Sequence, residues 1–327
     1  MRRLLFALIP LLLSCCATRF SGDYVFPSKT EKTEYLKSYN ASLGLWNEPY
    51  IEEDVPTSFG TAHVIISGPQ NANPLVLLHG TDASSTMWFP NISAFARSNR
   101  VYAIDYPLEA GKSVSSKKRL SNDDAAAFYG EVFDHYKMRN ITLAGVSRGG
   151  WMATYLAVHR KKNISKLVLL SPAHTFTGIK NTGKVLSALR LKFFPSKKNS
   201  DRFFKNFSHD PAQIDSVFQR QLYLAYKYGR SKPGILRMGK FSKKELQSLK
   251  IPILIFVGQY DIVNDKKLFQ KAETFCPNVE TCYVKDAGHF LSIDQWKVVN
   301  QEIVDFIGRK IEAPTDRKEP ISLTYGN

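Results

Sequence analysis

Cysteine is scarce, with 4 in 327 residues. That is too few for a disulfide framework, and none is required at this length, where roughly three quarters of the unfolded surface can enter an ordinary core. Glycine (19) and proline (16) stay near usual levels, which excludes a collagen-like or low-complexity chain. Extended apolar runs are also missing. The exception, Leu4 to Leu13, would span about 15 Å as a helix, half the hydrocarbon core of a bilayer, which argues against a permanent transmembrane anchor. Acid is in deficit: 29 Asp and Glu stand against 45 Lys and Arg, a formal charge of +16. Such an excess marks a solvated surface, or one that meets nucleic acid, anionic lipid or acidic substrate, so its placement matters more than its total. The 43% of hydrophobic and 12% of aromatic residues exclude a disordered chain. They suit one large α/β domain with an insertion, or two small domains.

Arg2, Arg3, the apolar run and Ser14 together read as an export signal over residues 1–14. Leu12-Leu13-Ser14-Cys15 resembles the lipobox of bacterial lipoproteins, although Leu13 is bulkier than usual. Cys15 is therefore the candidate for lipidation and membrane anchoring, and plain secretion after a nearby cleavage is the alternative. In an oxidising compartment Cys276 and Cys282 are a candidate disulfide closing a short loop, for which chain entropy predicts about 2 kcal/mol. Two free, partly buried thiols are the other reading. No His-rich pattern lies near them, so no zinc site is expected. The sequons Asn91-Ile92-Ser93 and Asn206-Phe207-Ser208 are of a kind that arises by chance in chains rich in Asn and Ser, and they do not establish a eukaryotic source.

Past the signal, Tyr35, Leu36, Tyr39 and Leu43 at helical spacing predict a leading helix over Glu31 to Trp46. Seven strands are predicted from aliphatic and β-branched runs: His63–Ser67, Leu75–Leu78, Val101–Asp105, Ile141–Val146, Leu167–Leu170, Ile253–Val257 and Thr281–Val284. From Leu75 onward these runs are mostly continuous rather than alternating, as strands buried on both faces require. Helical patterns at Asn122–Met138, Gly150–His159 and Lys266–Phe275 fall between strands, which implies a parallel sheet with right-handed crossovers. The alternation breaks after Ser171, where a mostly helical insertion, 174–248, is rich in Phe and Tyr. From His174 to Lys250 there are 17 Lys and Arg against 4 Asp and Glu, so most of the chain's excess charge lies here. The polar, aperiodic tail, 310–327, is expected to be disordered.

The sharpest local signal is Gly145-Val146-Ser147-Arg148-Gly149-Gly150, directly after a buried strand and directly before a helix. A serine on so tight a strand-to-helix turn needs small neighbours, and its hydroxyl projects at the carboxyl edge of the sheet, where the helix dipole favours developing negative charge. A serine nucleophile also needs a base, and the base needs an orienting acid. Gly258-Gln259-Tyr260-Asp261 follows one strand and Asp286-Ala287-Gly288-His289 follows the next, so both side chains belong to loops on the edge that carries Ser147. Taken alone, Asp261 reads as a turn or cap residue and His289 as a satisfied loop histidine; three agreeing placements outweigh that. Leu78-His79-Gly80-Thr81 ends a further strand. There the backbone N–H of Thr81 can join that of Arg148 as an oxyanion hole, with His79 in a structural role.

These pieces resemble the α/β-hydrolase fold, and the similarity runs from about Tyr50 to Arg309. The resemblance implies a mostly parallel central sheet flanked by helices, with core segments 21–173 and 249–309 and the helical insertion 174–248 as a cap over the site. It implies Ser147 as nucleophile, His289 as general base and acid, Asp261 as its partner, and Thr81 and Arg148 as oxyanion donors. One departure concerns the stretch Asp105 to Ser113, which keeps a single glycine where the family's loop is richer in them. Gly111-Lys112-Ser113 is not a phosphate loop, because Tyr106 stands where that motif requires glycine.

Serine at the elbow implies an acyl-enzyme route on a carboxylic ester, with no cofactor and no metal. Amide, thioester or C–C bond hydrolysis on the same fold is the alternative, and a non-catalytic binding protein is another. The basic, aromatic insertion suits an anionic acyl substrate or an anionic membrane surface, against a plainly solvated lysine face. Nothing resembles a nucleic-acid module.

Overall fold

A computed structural model describes residues 23–160, 163–231, 238–309 and 322–324. The expected signal 1–14 and Cys15 lie outside the described residues. Among the described residues ten strands form one sheet: β1 (Tyr50–Thr57), β2 (Gly60–Ser67), β3 (Pro74–Leu78), β4 (Arg100–Ile104), β5 (Val114–Ser115), β6 (Ile141–Val146), β7 (Ile164–Leu170), β8 (Ile253–Gly258), β9 (Val279–Val284) and β10 (Ser322–Thr324). Their order is β1-β2-β4-β3-β6-β7-β8-β9-β10, with β5 paired to β2. From β4 to β10 every neighbouring pair is parallel, while β2 pairs antiparallel with β1, β4 and β5. β6 and β8 are buried at every position, as their continuous rather than alternating sequences, with Thr142 the one polar side chain, require for strands covered on both faces.

Eleven α-helices lie among the described residues: α1 (Lys29–Leu43), α2 (Ile92–Phe95), α3 (Asn122–His135), α4 (Arg148–His159), α5 (Thr182–Phe193), α6 (Lys197–Phe207), α7 (Ser216–Tyr228), α8 (Lys243–Gln247), α9 (Lys267–Phe275), α10 (Leu291–Asp294) and α11 (Trp296–Gly308). α3 opens on a capping box between Ser121 and Asp124. It stops short of Met138 because Tyr136 caps it and Lys137 turns to φ 51°, a left-handed conformation that ends a helix. α1 buries Tyr35, Tyr39 and Leu43 and packs against α7. α5 to α8 all fall between β7 and β8, within the predicted insertion.

Three expectations are corrected. The sheet begins earlier than His63: β1 is an edge strand in which only Val55 is buried, and its Glu52, Glu53 and Asp54 give no apolar run to read. A two-residue turn returns it to β2 at Gly60, whose φ of 126° suits glycine alone. The tail is not wholly irregular, since Ser322–Thr324 pairs with Thr281–Tyr283 of β9; the rest of it lies outside the described residues. The Cys276–Cys282 disulfide is not formed: both are free, buried thiols. Cys276 at the end of α9 donates to Leu246 O at 3.7 Å while Cys282 lies within β9, and burial pushes both thiols up to about 12. Asn91 of the first sequon is also buried, bonding Ser292 O at 3.0 Å and Asn300 Oδ1 at 2.7 Å.

The parallel register decides where the loops fall. Leu78 stands opposite Gly145, Val146 opposite Leu170, Leu170 opposite Phe256 and Gly258 opposite Val284. β3, β6, β7, β8 and β9 therefore end together, and the segments after them share the carboxyl edge, where open α/β sheets place their ligand sites.

Candidate active site

Ser147 lies between the last residue of β6 and the first of α4, with φ 53° and ψ −115°. A non-glycine residue there is strained by about 1–3 kcal/mol, and persists only where its surroundings hold it. Here its N–H donates to Leu170 O at 2.9 Å, and its carbonyl accepts from Trp151 at 3.1 Å and Ala173 at 3.2 Å. The flanking glycines are required by close approach rather than by φ. A Cβ on Gly145 would meet Gly149 O at 2.3 Å, and one on Gly149 would meet Leu78 O at 2.2 Å, distances no side chain tolerates. Helix, elbow and the end of β3 are thus pressed together.

That compression brings the loop after β3 beside the serine. A Cβ on Gly80 would stand 3.6 Å from Ser147 Cβ. The N–H of Thr81 and that of Arg148, the first residue of α4, donate to no other group among the described residues, so both remain for a ligand oxygen. His79 is structural. Its Nε2 accepts from the Tyr106 N–H at 2.9 Å, which leaves Nδ1–H to donate to Gly80 O at 2.8 Å. Burial, with the nearby Arg148 charge, lowers it to about 4, so the ring is neutral near pH 7.

Asp261 and His289 meet, with Nδ1 3.0 Å from Oδ1. Asp261 Oδ1 also accepts from the N–H groups of Val263 at 2.7 Å and Asn264 at 3.3 Å, and Oδ2 accepts from the Ser171 hydroxyl. A carboxylate so held fixes the ring by Nδ1, and among the described residues Nε2 has no hydrogen-bond partner. The histidine loop is fastened by Gly258, where a Cβ would meet Gly288 O at 2.3 Å, and by Asp294. The Asp294 carboxylate accepts from Gly288 N at 2.7 Å, His209 N at 2.9 Å and Ser208 Oγ at 2.5 Å. Phe290 N donates to Phe207 O at 3.0 Å, and the Phe207 ring stands edge-on to His289 at 5.6 Å.

A second network was not foreseen in the sequence. The Arg148 side chain, 5% exposed, pairs with Glu109 through Nε at 2.9 Å and Nη2 at 3.1 Å, and lies over the Tyr106 ring at 4.2 Å. Glu109 Oε2 also accepts from Asp82 N at 2.9 Å. Asp82, at φ 55° and directly after Thr81, accepts from Lys192 Nζ of α5 at 2.9 Å and from the Ser231 hydroxyl. Burial raises Glu109 to about 7, against the pull of Arg148. Nearby, Gln221 of α7 bonds Thr86 and Ser84 at 2.8 Å each. The single glycine of the 105–113 loop is explained as well: a Cβ on Gly111 would meet Asp105 Oδ2 at 2.8 Å, and that oxygen also accepts from Lys112 N. The one sequence signal for this network was an arginine inside a buried turn, which demands an acid partner.

A nucleophile elbow, a histidine–aspartate pair and two unspent N–H groups on one edge of this sheet define a serine hydrolase of the α/β-hydrolase fold. Residues 70–295, which include all of these groups, match the Hydrolase_4 family, described as serine aminopeptidase, S33, and the chain belongs to that family. It is 29% identical over 280 residues to the carboxylesterase YbfK of Bacillus subtilis, covering 84% of this chain and 93% of that protein. It is 31% identical to the uncharacterised carboxylesterase nap of the same organism, over 83% of this chain and 91% of that one. Its fold superposes on the crystal structure of naproxen esterase (carboxylesterase NP) from Bacillus subtilis with a TM-score of 0.80, at 29% identity, covering 86% of this chain and 99% of the other.

Proposed function

We propose that the chain hydrolyses carboxylic esters of small molecules through an acyl-enzyme on Ser147. The observation that carries this reading is the strained elbow, with Ser147 at φ 53° on the edge that also holds the His289–Asp261 pair. Family membership and the carboxylesterase relatives support the ester as the bond attacked. In this reading His289 Nε2 takes the Ser147 proton as the hydroxyl oxygen bonds to the ester carbonyl carbon. Asp261 holds the ring by Nδ1–H and stabilises the imidazolium. The carbonyl oxygen, now an oxyanion, accepts from the N–H groups of Thr81 and Arg148. Collapse breaks the carbon–oxygen bond, the alcohol leaves with the proton from His289, and water repeats the sequence to release the acid.

Residues 1–14 serve as an export signal in this reading, and Cys15 is the lipidation site. Mass spectrometry of the mature N-terminus from an expressing bacterium tests both: retention of residues 1–14 would refute export, and a cleaved but unacylated terminus would refute lipidation and leave plain secretion. The hydrolase assignment is tested by turnover of short p-nitrophenyl esters. Ser147→Ala should lower kcat by about 10³-fold or more with circular dichroism unchanged. Full activity in that variant would overturn the assignment.

A further inference from the structure

α5 carries two apolar faces where one suffices. Ser187 and Leu191 turn inward and are buried. Leu186, Leu189 and Phe193, at i, i+3 and i+7, form a second stripe on the same helix. Leu186 is 55% exposed and Phe193 67%, and Phe194 at the helix end is 70% exposed. Among the described residues, the other exposed large hydrophobic residues are Tyr24, Tyr50, Ile51, Tyr260 and Trp296, spread along the chain as such residues commonly are. A concentration on one helix marks a surface with a partner.

The charge around the stripe selects that partner. Between Thr182 and Phe207 there are seven Lys and Arg and one acid, Asp201. Asp201 is already paired with Lys197 at 2.9 Å, and Lys192 is turned inward to Asp82. Lys184, Arg190, Lys197, Lys198, Arg202 and Lys205 remain exposed. A second copy of the chain would set these cations against their own kind. An anionic bilayer accepts both features, headgroups meeting the lysines and arginines while the aromatic stripe enters the interface. No helix among the described residues is long and apolar enough to cross a membrane, so the contact is peripheral.

We infer that the exposed face of α5, with the basic α6 beside it, docks the protein onto anionic lipid membranes. This goes beyond ester hydrolysis and does not depend on it. The test uses the mature chain without residues 1–14 and with Cys15→Ser, so that no acyl chain contributes. Co-sedimentation is measured with phosphatidylcholine vesicles, with and without phosphatidylglycerol, at low and high salt. The protein should bind only the anionic vesicles, and binding should fall about tenfold or more in high salt and in Phe193→Ser/Phe194→Ser. Both aromatics are exposed, so that variant should keep its fold and its turnover of a soluble ester. Absence of binding to anionic vesicles overturns the inference, as does binding indifferent to the aromatic pair. Self-association abolished by the same pair would assign the stripe to a second copy and overturn it too. A wild-type protein that binds vesicles yet hydrolyses no ester would sink the esterase reading alone.

Discussion

Two of the contacts between the helical insertion and the sheet edge are fastened by different chemistry. On the oxyanion side, Lys192 answers the Asp82 carboxylate with a charge, and both side chains are largely buried, at 10% and 3% exposure. On the histidine side, the Asp294 carboxylate accepts from neutral donors among the described residues, two N–H groups and the Ser208 hydroxyl, beside the packed Phe207 ring. A buried ion pair is fragile in one particular way: removing either member strands the other. A carboxylate bound by neutral donors tolerates an amide in its place better, because the shape and some of the hydrogen bonds survive. Of these two fastenings, only the one at Asp82 depends on charge balance.

Substitutions at each fastening separate the two. Asp261→Asn acts on the histidine side at its centre, since an amide can hold the ring in the wrong tautomer. It should lower kcat by about 10⁴-fold with little change in Tm, as stopped-assay and melting measurements would show. Lys192→Met should destabilise the fold by about 3 kcal/mol in urea titration, because Asp82 is left buried without its cation. Adding Asp82→Asn should restore much of that loss, giving a coupling energy of about 1 kcal/mol or more in the double-mutant cycle. Additive losses would mean the pair does not matter. Asp294→Asn should be milder, about 1 kcal/mol, with kcat reduced more than KM because the histidine loop loosens without unfolding.

A smaller effect sharpens the same contrast through pH. His79 is lowered to about 4 by burial, so its contribution to stability is present above its ordinary value of 6.5 and is lost as pH falls toward 4. Glu109 is raised to about 7, chiefly by burial, so its contribution is present below its ordinary 4.5 and is lost as pH rises through 7. In the wild type these slopes oppose each other between pH 4.5 and 6.5. His79→Asn should remove one of them, and the urea midpoint should then decline steadily with rising pH across that window. An unchanged profile would mean that the two groups do not titrate as placed.

Much of this architecture was legible in the sequence, and the reason is local. Ile141–Val146 and Ile253–Val257 read as buried parallel strands because every position is apolar or glycine, or, in the case of Thr142, β-branched. The elbow was legible because Gly145 and Gly149 satisfy steric demands within five residues of chain. What was not legible depends on distance. Asp82 meets Glu109 across 27 residues and Lys192 across 110, and no periodicity signals such a pairing. Lys192 is one of many lysines in the insertion, and only the packed fold shows which one turns inward. β1 escaped notice because an exposed edge strand needs no apolar pattern.

Everything proposed for catalysis passes through one hydroxyl, which is probed by the intact mass of the protein after brief exposure to a slowly hydrolysed p-nitrophenyl ester, followed by peptide mapping. An added mass equal to the acyl group is expected, located on Ser147 and absent from Ser147→Ala. Steady ester turnover with no acyl adduct on that residue, or an adduct that survives in the alanine variant, would contradict it.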